Sequence, residues 1–73
     1  MTKDTLRKAT CLVIQKSGKY LSRFGTMMGM TVWDDHLSNA WTTRNLMEAT
    51  RKADELGGTL MLFNPSIWRV ERL

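Results

Sequence analysis

The sequence predicts a small α+β domain: an antiparallel sheet of three to five strands with one main helix packed on one face, in the order β-β-β-α-β and then a further short strand. Three observations carry this. The run from Thr42 to Gly58 holds a helix start, an apolar stripe and a helix stop in that order. Thr59-Leu60-Met61-Leu62-Phe63 follows directly and reads as a strand, which gives the helix a surface to pack on. Nearer the N-terminus, two β-rich runs are separated by Ser17-Gly18, a pair suited to a tight hairpin because glycine accepts positive φ at no steric cost.

Taken in order, residues 1–8 read as a flexible N-terminal arm and 9–73 as one domain. Ala9–Gln15 is β-branched and apolar, Lys16–Lys19 turns, and Lys19–Phe24 returns as the second strand. A two-residue turn sets Ile14 opposite Leu21, Val13 opposite Ser22, Leu12 opposite Arg23 and Cys11 opposite Phe24. Leu12, Ile14 and Leu21 then share one side, and Val13, Tyr20 and Phe24 the other. Both sides are apolar, so the pattern leaves open which one the helix covers. Gly25–Gly29 is a second turn, and Met30–Trp33 a third strand. Asp34–Trp41 is a polar connector in which Leu37, Ala40 and Trp41 have the spacing of one helical turn, with Asp35 as its N-cap.

The main helix is expected over Arg44–Leu56, capped by Thr43 or Thr42 and stopped by Gly57-Gly58. Leu46, Ala49, Ala53 and Leu56 form its narrow apolar stripe, with small residues in the middle that let it lie close on a sheet. Arg44, Glu48, Lys52 and Glu55 lie on its other side, where Arg44–Glu48 and Glu48–Lys52 are i,i+4 pairs. Asn64-Pro65-Ser66 makes a turn, because proline fixes φ and removes a donor. Ile67–Leu73 is the last short strand.

Composition narrows the function classes. Seventy-three residues hold one core, with no room for a substrate domain beside a cofactor domain. A single cysteine, Cys11, forms no internal disulfide and sits in an apolar run. Residues 1–8 are charged with no apolar run behind them, unlike a secretory signal, and no stretch has the length of a membrane span. The expectation is a cytoplasmic protein without membrane contact. Eleven Lys/Arg against seven Asp/Glu give a net charge of +4, which admits nucleic acid or an acidic protein surface as partner. The charges are dispersed, so a solvated surface accounts for most of them.

The order Val13-Ile14, Gly18-Lys19-Tyr20-Leu21, Trp33, Asp34–Ala40, Thr43 opening a helix with Ala49 and Ala53, then Leu56-Gly57-Gly58, resembles a loose group of small phage and prophage proteins. They carry a "GKYL … W … LS-x-A … T … A … A … LGG" pattern, here over residues 11–63. The chain differs from them at Trp41, where a Phe is usual, and at Arg44-Asn45-Leu46, where acidic residues open the helix. The resemblance implies a phage-type accessory protein, some relatives of which act on host or defence machinery. It transfers no catalytic residue.

The residues themselves predict no catalytic, metal or cofactor site, and so no enzyme. Asp34-Asp35-His36 groups metal- and acid/base-capable side chains, but adjacent residues at a strand end point apart and no further donor completes a ligand set. With one histidine, a nucleophile dyad would need His36 beside Cys11 or a serine, and no spacing favours it. Gly57-Gly58 follows a helix rather than opening one, unlike a phosphate loop.

Of three tryptophans, Trp33 and Trp41 read as core. Trp68, next to Arg69 and near Arg72 at the edge of the fold, reads either as edge-of-core packing or, by composition, as an interface hot spot. Met27 and Met28 form a second, adaptable candidate patch. The expected function is non-catalytic binding: an inhibitor-like anti-defence protein that docks on a host or defence protein and modulates it through these residues. The alternative is a small basic nucleic-acid-binding module, with Arg44, Arg51 and Lys52 on phosphates and Trp68 or Tyr20 stacking a base. The chain acts as a monomer or as a homodimer, the latter by edge-strand pairing through Ile67–Leu73.

Overall fold

A computed structural model describes residues 10–24 and 31–72. The expected arm (1–8), Met27, Met28 and Met30 lie outside the described residues. Five strands, β1 (Cys11–Lys16), β2 (Lys19–Phe24), β3 (Thr31–Asp34), β4 (Thr59–Asn64) and β5 (Arg69–Arg72), form one antiparallel sheet in the order β3-β2-β1-β4-β5. One helix, α1 (Leu46–Leu56), lies against β1 and β4 on one face. The fold is therefore α+β, with the elements in the expected order.

The hairpin β1–β2 turns through Ser17 (φ 53°) and Gly18 (φ 79°), two successive left-handed residues whose twist matches that of the strands. The ladder then stops early. Only Lys16↔Lys19 and Gln15↔Tyr20 pair, and the expected pairs further along do not form. The strands part there to admit the chain from the connector. Leu12 N–H donates to Thr43 O at 2.7 Å and Thr43 N–H to Leu12 O at 3.2 Å. Trp41 N–H donates to Leu21 O at 2.7 Å. These bonds give partners to backbone groups that the parted strands leave facing each other across the gap.

The connector approaches this gap from the face opposite the helix. A 3-10 turn at Leu37–Asn39 places Leu37 and Ala40 on the cluster of Val13, Met61 and Phe63, with Cys11, Tyr20 and Val70 around it. Past residues 41–43 the chain is on the other face, where Ile14, Leu21 and Ala53 pack with Phe24, Trp33, Trp41, Leu56 and Leu60. Leu37, Ala40 and Trp41 thus do not share one helical face as expected, because Ala40 is extended (ψ 140°) and the crossing separates Trp41 from the other two. Covering both faces buries Leu12, Val13 and Ile14 completely. Each contributes roughly 1.5–3 kcal/mol relative to exposure.

Two further differences lie at the β2–β3 register and at the helix start. Between β2 and β3 the register steps from Leu21↔Trp33 to Arg23↔Val32, a bulge that leaves Ser22 as the extra residue. The step turns Phe24 to the helix face, away from Val13 and Tyr20, where its ring meets Trp41 edge-on at 5.1 Å. The helix also begins later than expected. Thr43 is occupied as a strand partner, so Asn45 is the N-cap, its side chain accepting from Glu48 N–H at 3.0 Å, and Thr43 Oγ1 accepts from Asn45 N–H at 3.1 Å.

Of the apolar stripe, Ala49 and Ala53 are buried and Leu56 is half-buried, while Leu46, at the first helical position, stays 37 % exposed. Arg44, expected on the outer side, reaches back so that Nη1 donates to Thr10 O at 2.8 Å. Lys52 pairs with Glu55 at 3.2 Å.

Gly57 (φ 70°) closes the helix, and Gly58 N–H returns to Ala53 O at 2.9 Å. A Cβ on Gly58 would stand 2.5 Å from Ile14 Cγ2 and 3.3 Å from Gln15 O. Gly58→Ala is therefore expected to overpack the helix–sheet seam and to cost about 1–3 kcal/mol, read as a lower urea midpoint with an unchanged slope.

Candidate docking site

The β4–β5 hairpin carries the candidate site. Pro65 fixes the turn, and Asn64 Oδ1 accepts from Ser66 N–H at 3.0 Å, a side-chain mimic of a backbone turn. The ladder resumes only at Asn64↔Arg69, so Ile67 and Trp68 belong to the loop instead of opening the last strand as expected. Trp68 closes this loop in a left-handed conformation (φ 52°), a position that glycine normally fills. A bulky residue there costs roughly 1–2 kcal/mol.

The indole rests edge-on against the buried Phe63 ring, with centroids 5.3 Å apart and planes at 86°. It nevertheless remains 58 % exposed, and Ile67 beside it is 63 % exposed. Ile67 was not among the expected contact residues. The signal for it was the Asn-Pro-Ser turn immediately before, whose loop extends two residues further than the strand reading allowed.

The expected trio of Trp68, Arg69 and Arg72 is divided between the two sides of the sheet. Arg72 lies opposite Met61, and Val70 opposite Phe63, on the face that Trp68 touches. Arg69 alternates to the helix face, where its Nε meets Glu71 Oε1 at 3.0 Å. Met27 and Met28, the second patch, lie outside the described residues.

The candidate nucleic-acid contacts are likewise split. Arg44, Arg51 and Lys52 are on or beside the helix, but Tyr20 packs on the Val13 cluster behind the sheet. Lys52 Nζ sits 4.3 Å from the Phe24 ring centroid and 3.2 Å from Glu55 Oε2, so its ammonium is already engaged within the chain. Arg51 borders a shallow hollow of about 480 Å³ with Leu46, Met47, Thr50 and Asp54. Met47 is 72 % exposed there, and like Ile67 it was not among the expected contact residues.

Asp34, not Asp35, organises the connector. Its Oδ1 accepts from His36 N–H at 2.7 Å and meets His36 Nδ1 at 3.2 Å, while Oδ2 accepts from Asn39 Nδ2 at 3.1 Å. The His36 backbone bond foremost, then Asn39, holds the Asp34 carboxyl below its ordinary pKa of 3.8. Burial pushes the Cys11 thiol above its ordinary value, outweighing Arg44 and a hydrogen bond with Thr42. Among the described residues no three His, Cys, Asp or Glu side chains are grouped to hold a metal ion, and no helix is long and apolar enough to cross a membrane.

Comparison with protein-family models, with curated proteins and with solved structures finds no match to this chain.

Trp68→Gly exchanges backbone strain for a lost aromatic contact, so it is expected to shift stability by no more than about 1 kcal/mol. Trp41→Ala, in the packed cluster, is expected to cost about 3 kcal/mol, both changes being read from the urea midpoint. A carboxyl whose folded pKa is depressed stabilises the fold above its unfolded pKa and loses that contribution as pH falls through the folded value. Asp34→Asn is therefore expected to lower the urea midpoint at pH 7 and to shrink the difference between pH 7 and pH 3; an unchanged difference would assign the acid sensitivity to other groups.

Proposed function

We propose that this chain is a non-catalytic binding protein of phage or prophage type, which docks on a host or defence protein in the host cytoplasm and modulates it. The observation that supports the reading is the Ile67–Trp68 loop. A tryptophan is kept exposed, in a backbone conformation that opposes it, while its ring is pre-positioned on a core phenylalanine. Strain of this kind persists where the surrounding structure enforces it, and it concentrates at binding sites. Tryptophan and arginine dominate hot spots because they bring large contact areas at low conformational cost. Arg72, on the same face, supplies the polar rim. The phage-type assignment is supported by the GKYL-to-LGG residue pattern.

The net charge of +4 favours nucleic acid as a second reading. One experiment separates the two: capture from a bacterial host lysate by tagged wild-type, Trp68→Gly and Arg72→Ala chains, with and without nuclease, across a salt series. The docking reading expects a protein retained through nuclease and through high salt, and lost by Trp68→Gly. Loss on nuclease treatment, or a steep fall with salt that all three chains share, supports phosphate contacts instead and overturns it.

A further inference from the structure

β5 ends the sheet with both charge signs on one of its faces. β5 is last in the sheet order, so one backbone edge of Arg69–Arg72 pairs with β4 and the other meets no described strand. Such an edge is a template for a further strand. When two copies of one strand pair about a two-fold axis normal to the sheet, opposed residues must share a face. Because alternate residues change faces, the axis must then pass through a residue and never between two.

Charge then selects among the centres. An axis at Arg69 or at Arg72 opposes that arginine to itself, and an axis at Glu71 opposes two carboxylates. An axis at Val70 opposes valine to valine and sets each Arg69 against Glu71 of the other copy, twice by symmetry. One step further out, Trp68 comes opposite Arg72 of the other copy, on the face where cation–π contact is available. We infer that β5 pairs antiparallel with β5 of a second copy of this chain, with the two-fold axis on Val70, joining the two sheets into one.

Edge charges usually blunt an edge, but they do so when they carry one sign. Here Arg69 and Glu71 alternate in sign on a single face and already attract each other at 3.0 Å within the chain, so the strip is self-complementary. The opposite edge, β3, is Thr31-Val32-Trp33-Asp34, and no centre on it sets opposite charges against each other. β5 is four residues long and its ion pairs are exposed, so the dimer is weak.

This inference is independent of the docking reading, because it is tested on the purified chain with no partner present. Sedimentation equilibrium from about 1 μM to about 1 mM is expected to show the mass rising from monomer to dimer and stopping there. Arg69→Glu and Glu71→Arg each set like charges opposite one another, and each is expected to weaken the dimer about tenfold or more. The double reversal Arg69→Glu/Glu71→Arg restores opposite charges and is expected to return the affinity to within about twofold of wild type. A monomer throughout, a dimer indifferent to the single reversals, a folded double variant that fails to recover, or growth past the dimer each overturns the inference.

Discussion

The paired hydrogen bonds between Leu12 and Thr43 are the constraint on which this fold turns. The connector lies on one face of the sheet and the helix on the other, so the chain has to pass from face to face. Going around an edge would take a longer linker than residues 40–45 supply. Instead β1 and β2 separate beyond Gln15 and Tyr20, and the chain passes between them, bonding to Leu21 with Trp41 and to Leu12 with Thr43. The opening is lined by backbone groups that would otherwise be buried without partners, each costing about 1–3 kcal/mol.

The rest follows from that passage. Because the crossing delivers the chain to both sides, β1 is covered above and below, and three consecutive side chains are fully buried in a protein small enough to have little core to spare. Because Thr43 is held as a strand residue, the helix waits for Asn45, and its short run sets Ala49 and Ala53 over β1 and β4. The small residues permit the close approach that Gly58 then requires at Ile14. The crossing lies on the β2 side of β1, whereas the β4–β5 hairpin lies on the other. The exposed loop is thus separated from the element that organises the core, and Phe63, buried in the Val13 cluster and touching Trp68, is the link between them.

Features that depend on neighbours in sequence were legible, and those that depend on distant partners were not. Ser17-Gly18 announced its turn, and the spacing of Ala49, Ala53 and Leu56 before Gly57-Gly58 announced the helix, since each needs only local geometry. The displaced cap at Asn45, the parting of β1 from β2 and the bulge at Ser22 all answer to residues far along the chain. A strand pattern read alone assigns Phe24 by parity, and a single bulge reverses that assignment. At the site, composition marked Trp68 as either an interface residue or edge-of-core packing, and the structure shows the indole both exposed and resting on Phe63. The opposite orientations of Arg69 and Arg72 were also implicit, because strand alternation separates residues of unlike parity. The left-handed backbone of Trp68 was not legible, since nothing in the sequence marks a tryptophan in a position that glycine normally takes.

Self-pairing and docking share the β4–β5 hairpin and meet at Trp68 and Arg72, which bears on what the surface can do. Pairing uses the backbone edge of β5, with Arg69 and Glu71 toward the helix face, while Ile67, Trp68 and Arg72 belong to the loop and the opposite face. A two-fold axis normal to the sheet keeps faces together, so the two Trp68 side chains of a dimer stand on one side of the joined sheet. With Trp68 four positions from Arg72, strand spacing places the two tryptophan backbones about 14 Å apart. Two identical anchors at that separation suit a partner that repeats its own binding pocket, because engaging the second anchor is then intramolecular and multiplies affinity without any new kind of contact. A short loop of limited area gains more from such duplication than from enlargement, since a longer loop adds conformational entropy that binding would have to remove.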